Sequence, residues 1–186
     1  MSSGITDVPG ITVGHWTDRT AATGCTVVLC GSQTVGGVDV RGSSPGTRET
    51  DILAPDRRVE TVNAVMLSGG SAYGLAAADG AMKYLEERGI GVIVGSNVVP
   101  IVSSAIIFDL GMGDGSVRPR PESGYEACQR ASPGPIEQGS VGAGTGASVG
   151  KVFGAKRAVK GGIGTSSSHL GNGLMVGALV VVNAIG

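Results

Sequence analysis

The stretch LMVGALVVVNAIG, Leu174 to Gly186, decides how the chain is understood. Leu179 to Val182 is a run of apolar residues with no polar face, the pattern of a strand buried on both sides. It delivers Asn183 to its tip. A side-chain amide at the end of a buried strand is either a cap for the strand end or a donor held where chemistry needs one. A final strand of this kind also needs something to tie it down. The stretch therefore predicts that further structure packs beside it.

Working outward, the rest of the chain supplies sheet and little helix. At 186 residues it is expected to form a single domain, 1–186, with a core of useful size. Thirty-four glycines accompany one Trp, three Tyr and two Phe. The glycines fall between Val/Ile-rich runs, so they signal tight turns and close backbone approach rather than disorder. CTVVLC (Cys25–Cys30) and AVMLSGG (Ala64–Gly70) are strand patterns. VGGVDVRG (Val35–Gly42) alternates apolar and polar residues and is expected to be a strand. ITDVPGITVGHW (Ile5–Trp16) predicts two short strands about Pro9-Gly10. Ser71–Gly89 is the clearest helix. Ser71 is its expected cap, Leu75, Ala78, Met82 and Leu85 form its apolar stripe, and Gly89 stands at its end. A second, shorter helix is predicted from Ser123, again as cap, to Ala131. About eight or nine strands with two helices predict an antiparallel or mixed sheet with helices on one face.

Charge and composition exclude several classes. A net charge of −1 offers no basic stripe for nucleic acid. No apolar run has the ~18 to 20 residues of a membrane span, and MSSGITDVPG lacks the features of a signal peptide. Cys25, Cys30 and Cys128 are odd in number and lack ligand spacing, so they are expected to be reduced thiols of a cytoplasmic protein. The glycine loop Gly142–Lys151 is not a phosphate loop. The first glycine of that template would fall at Thr145, and Val152 follows the lysine where a hydroxyl is needed. A dinucleotide reading lacks the acid about twenty residues on. His15 and His169 have no Asp, Glu or Cys at ligand spacing, and no G-x-S-x-G elbow is present.

Six segments in order, ITDVPGITVGHW, VDVRGSSPGTRETDIL, LSGGSAYGLAAADG, VVPIVSSAIIFDL, GSVGAGTGAS and VGALVVVNAIG, resemble the DmpA-type L-aminopeptidase/D-esterases. That family includes the β-peptidyl aminopeptidases and the nylon-oligomer hydrolases. The resemblance implies an α/β (α+β) fold, an αββα sandwich shared with ornithine acetyltransferases. It implies a precursor that cleaves itself before a Ser or Thr, the new amino terminus becoming the nucleophile of a β chain. This chain would be the α chain, or most of one, with its β chain as partner, in a homo-oligomer of αβ units. The substrate would be a small peptide, amide or ester, and no metal or cofactor is implied.

By the same resemblance Asn183 matches the oxyanion-hole Asn. Lys151 aligns with a catalytic lysine of the nylon-oligomer branch, against the alternative of an exposed loop lysine. Phe108 falls where some members carry a Tyr whose hydroxyl joins the oxyanion site, so here it is expected to line the pocket or pack in the core. Ser71 and Tyr73, at the start of the main helix, either line the substrate cleft or serve close helix–sheet packing. The loop Gly42–Asp51 borders the site or an interface, or is a solvated loop with internal ion pairs. Two other functions stay open: an acetyltransferase of the same fold, and a relative without catalytic activity.

Overall fold

The computed structural model describes residues 3–185. Eleven strands are found among them: Thr12–Asp18 (β1), Thr23–Leu29 (β2), Thr47–Arg48 (β3), Ala64–Ser68 (β4), Val92–Val94 (β5), Asn97–Val99 (β6), Val102–Ile106 (β7), Ser148–Val149 (β8), Val159–Lys160 (β9), Ile163–Gly171 (β10) and Leu174–Val181 (β11). Two α-helices accompany them, Ala77–Glu86 (α1) and Pro121–Gln129 (α2). β1, β2, β4, β7 and β3 form a mixed sheet in that order. Only the β4–β7 pair is parallel, and the chain between them runs through α1, as a crossover between parallel neighbours requires. The expectation of a mixed sheet with helices on one face holds.

Period-two alternation sorts each strand between two environments. Cys25 and Val27 of β2, Ala64 and Met66 of β4 and Val102 of β7 point to the helices and join Ala77, Ala78, Ala81, Leu85, Ala127 and Cys128 in one core. Burying side chains such as Met66, Val27 and Val102 is worth about 1.5–3 kcal/mol each. The helices can lie close because they meet through glycine. A β-carbon at Gly80 would come 1.8 Å from the carbonyl of Pro121, and one at Gly124 1.9 Å from that of Ala77. This is part of what the high glycine content does.

Thr26, Leu67 and Ala105 point to the opposite face. The glycine loop packs there, with the N–H groups of Gly142 and Ala143 donating to Thr17 Oγ1 (2.8 Å) and Thr26 Oγ1 (3.0 Å). Val141 through Ser148 are buried, and the loop's amides are used inside the protein rather than offered to a phosphate. The β10–β11 hairpin lies across the same side, Ile163 packing close to Gly144. Helix, sheet and second sheet are three layers of the αββα arrangement. A second helix layer is absent among the described residues.

Several local expectations are corrected. Ile5–Asp7 is a 3-10 turn rather than a strand. It is held on the hairpin by Ile5 N–H to Thr165 Oγ1 (2.8 Å) and by Ser167 Oγ–H to Asp7 (2.5 Å). Val35–Gly42 forms no strand. Only Val35 bridges to Thr61, Val38 and Val40 are exposed, and Asp39 pairs with Arg41 locally. Alternation without a neighbouring strand has no ladder to join. Ser71 is not the cap of the main helix. Its φ is +54°, Gly70 precedes it at +82°, and a 3-10 run Ser71–Ala76 leads into α1. Arg120, not Ser123, occupies the cap of α2, and Ser123 Oγ accepts its N–H (3.2 Å) from inside the first turn. Leu179–Val182 is not fully buried. β11 alternates between half-buried and exposed residues, and Val180 is 58 % exposed. The outward column Leu174, Val176 and Val180 has no cover among the described residues.

No helix among the described residues is long and apolar enough to cross a membrane, and no cluster of three or more His, Cys, Asp or Glu is placed to hold a metal. The three cysteines are free, Cys25 and Cys128 buried and Cys30 half-buried. Burial pushes the Cys128 thiol up to about 12 and that of Cys25 higher still.

Candidate active site

The site is assembled at the end of β7. After Ile106 the chain leaves the sheet but stays tethered: Ile107 N–H donates to the Ser68 carbonyl (2.8 Å), and the Ile107 carbonyl accepts from Ser71 N–H (3.1 Å). The next amide, Phe108 N–H, donates to Asn183 Oδ1 at 2.9 Å. Three of the residues singled out in the sequence, Ser71, Phe108 and Asn183, are thereby brought together from three separate segments.

The bond to Phe108 settles the orientation of the Asn183 amide. A backbone N–H can only donate, so the oxygen of Asn183 must face it and the NH2 must face away. Among the described residues no acceptor takes the Nδ2 hydrogens. Asn183 lies between two recesses on the open side of the sheet. One, of about 480 Å³, is walled by Val65, Ala105 and Ile106 of the sheet and by the loop carrying Val38 and Val40. The other, of about 280 Å³, is almost wholly apolar, lined by Leu67, Ile107, Leu179 and Val181. An amide donor held by its own oxygen, beside apolar walls, is suited to meet a negative oxygen that forms during a reaction.

The segment Gly42–Asp51 forms part of the first recess, so it borders the site. It is also anchored: Arg48 forms an ion pair with Asp79 of α1 (2.6 Å). Phe108 is 55 % exposed. Its ring neither packs in the core nor lines either recess, and its tie to the site is its backbone N–H. Tyr73 is also exposed, with the guanidinium of Arg118 over its ring at 3.8 Å. Lys151 opens a 3-10 turn, Lys151–Phe153, whose Val152 N–H donates to the Ile185 carbonyl (2.8 Å), two residues beyond Asn183. The turn is thus near the site by its backbone, while Lys151 and Tyr73 line neither recess.

Two residues that sequence reasoning did not single out, Asp109 and Thr23, meet directly after Phe108 in the chain. The Asp109 carboxylate accepts Gly70 N–H at Oδ1 (2.6 Å) and Thr23 Oγ–H at Oδ2 (2.8 Å). The amino end of the 3-10 run that leads into α1 therefore faces a carboxylate of the chain itself. The only linear signal was an Asp just past a strand and a Gly-Gly before a helix. A larger groove, about 530 Å³, runs over Gly80 between α1 and α2. It is lined largely by charged side chains such as Asp79, Lys83 and Glu126 on the helix side, and shares no lining residue with the two recesses beside Asn183.

Comparison with known proteins places this geometry. The chain is 51% identical over 98% of its length to an uncharacterized aminopeptidase of Mycobacterium leprae, spanning 52% of that protein. It is 33% identical to the 6-aminohexanoate-oligomer endohydrolase of a Kocuria species, over 97% of this chain and 48% of that one. The chain thus spans about half the length of these relatives. Its fold matches the L-aminopeptidase D-Ala-esterase/amidase of Ochrobactrum anthropi, described as a variant of the Ntn-hydrolase fold. The TM-score is 0.76 at 19% identity, covering 98% of this chain and 54% of that one. The sequence model of peptidase family S58 matches residues 3–186. The resemblance to the DmpA-type enzymes is borne out, and the chain belongs to peptidase family S58.

Proposed function

We propose that this chain is the α portion of an amide hydrolase that removes amino-terminal residues from small peptides, amides or esters through an acyl-enzyme. The nucleophile would be a Ser or Thr carried on the part of the relatives' length that this chain does not match, freed as an amino terminus by self-cleavage. Its α-amine takes the hydroxyl proton as the oxygen attacks the carbonyl carbon. The carbonyl oxygen becomes the oxyanion and receives the Nδ2–H of Asn183. Collapse expels the amine with the proton, and water then releases the acyl group. No metal or cofactor enters this chemistry. Lys151, on its turn beside the tail, would stabilise negative charge or tune the nucleophile. Ser71, Tyr73 and Phe108 would border the substrate, Phe108 acting on Asn183 through its backbone. The protein would work in the cytoplasm as an oligomer of two-chain units.

The observation that carries this reading is the Asn183 amide, oriented by Phe108 N–H, its own hydrogens without an acceptor among the described residues and an apolar recess beside it. Both relatives' names, aminopeptidase and oligomer endohydrolase, denote cleavage of amide bonds. The test is intact-mass analysis of the purified full-length protein, with amino-terminal sequencing and an assay on aminoacyl p-nitroanilides. Two co-purifying chains, the second beginning with Ser or Thr, and release of nitroaniline are expected. A single uncleaved chain without amidase or esterase activity would contradict the reading.

A further inference from the structure

The geometry points to Asp109 as a positioning residue for the oxyanion donor, an inference that rests on the role proposed for Asn183. Asp109 is 3 % exposed, and none of the ion pairs among the described residues reaches it. A buried carboxylate without a cation is costly to keep unless its oxygens are well bonded. Here they are, by Gly70 N–H and Thr23 Oγ–H. The carboxylate is also walled in. A β-carbon at Gly69 would lie 2.0 Å from Oδ2, and one at Gly146 2.4 Å from the Asp109 β-carbon. The side chain has little freedom to choose another rotamer.

Three segments are pinned by this one group: β2 at Thr23, the Gly69–Ser71 turn, and the chain leaving β7. The turn needs pinning, since Gly70 and Ser71 both adopt positive φ and Ser71 pays a steric cost there. The helix it starts has no side-chain cap of its own, and Asp109 supplies the missing acceptor from another element. The residue immediately before Asp109 is Phe108, whose N–H orients Asn183. Fixing Asp109 therefore fixes the direction of the N–H that aims the amide. Asp109 never meets the substrate; it acts through Phe108 on Asn183.

The test is a double-mutant cycle in the full-length protein, with kcat and KM measured for Asp109→Asn, Asn183→Ala and the pair. Asparagine keeps the shape: its oxygen can accept Gly70 N–H and its NH2 can donate to Thr23. What goes is the charge that strengthens both bonds. Misdirecting a donor by a fraction of an ångström predicts a fall in kcat of about tenfold. KM should stay within about twofold, since the loss is confined to the transition state. In the Asn183→Ala background the Asp109→Asn change should cost nothing further. Thr23→Val, which removes one hydroxyl donor, is run through the same cycle and decides the matter if Asp109→Asn fails to fold. An unchanged kcat in the single variant, or a full additional loss in the Asn183→Ala background, overturns the inference while leaving the proposed role of Asn183 standing. If Asn183→Ala alone has no effect on kcat, the donor role proposed for Asn183 falls and this inference falls with it, while the hydrolase reading is decided separately by whether the parent protein cleaves the anilide.

Discussion

The two faces of the five-stranded sheet are built on different terms. On the helix side Cys25, Val27, Ala64, Met66 and Val102 are buried completely or nearly so, and glycine lets the two helices lie almost backbone to backbone. On the other side lie recesses, a buried glycine loop and a hairpin whose outward Val176 and Val180 are half exposed or more. The closed face provides stability. The open face carries Asn183, the donor proposed above, on a scaffold the closed face keeps rigid, and the Asp109 cluster lies buried at the strand ends. Catalytic groups need such a division, because a donor must be held firmly yet remain reachable.

The sharpest way to break the comparison is to damage the closed face alone. Met66→Ala removes a wholly buried side chain and should cost about 2–5 kcal/mol of stability, measured by denaturant unfolding. Its kcat, measured below the melting range, should be nearly that of the parent. A variant that stayed stable but lost activity would mean the two faces are not separable in this way.

A smaller effect belongs to the edge of the sheet. His15 on β1 places Nδ1 2.8 Å from Thr26 Oγ1, which already accepts Ala143 N–H. The hydroxyl is thus best used donating to Nδ1, and the other ring nitrogen, Nε2, is buried without a hydrogen-bond partner among the described residues. Burial lowers the His15 pKa from its ordinary 6.5. In the folded state His15 binds protons less readily than in the unfolded chain. Its contribution to stability is whole above about 6.5 and is lost as pH falls from there through the lowered folded value. Melting curves between about pH 5 and 8 should show that loss, and His15→Gln should flatten it. An unchanged slope in the variant would assign the pH dependence to other groups.

The smallest effect is expected on the open face. Val180→Thr alters a side chain already in water and should change stability by no more than about 0.5 kcal/mol. A loss of the size seen for a core valine would reveal that the hairpin's outer face is covered in the full-length protein, and would sharpen the comparison by showing what closes the second side.

Much of the closed face was legible in the chain. Cys25–Cys30, Ala64–Gly70 and the stripe through Ala78 and Leu85 declared themselves by run length and period, because packing against helices leaves a regular imprint. The open face left a weaker one. Val35–Gly42 had the alternation of a strand and found no ladder, since pairing partners lie far off in sequence. Leu179–Val182 looked buried on both sides because an apolar run records what a strand is built to meet, and β11 meets only part of it among the described residues. Asn183 was legible through its position at a strand tip and through family likeness. Asp109 was not: its partners, Thr23 and Gly70, are 86 and 39 residues away, and no local pattern couples them.

Asn183 is proposed to work as a donor on the open face rather than as a strand-end tie. The two roles separate in the kcat of full-length Asn183→Ala, read beside its unfolding midpoint. A donor to the oxyanion predicts a loss of about 10²-fold or more in kcat with the protein still folded, since only the transition state uses the amide. A soluble variant with near-normal kcat would contradict the account and leave Asn183 as a link between the chain's tail and Phe108.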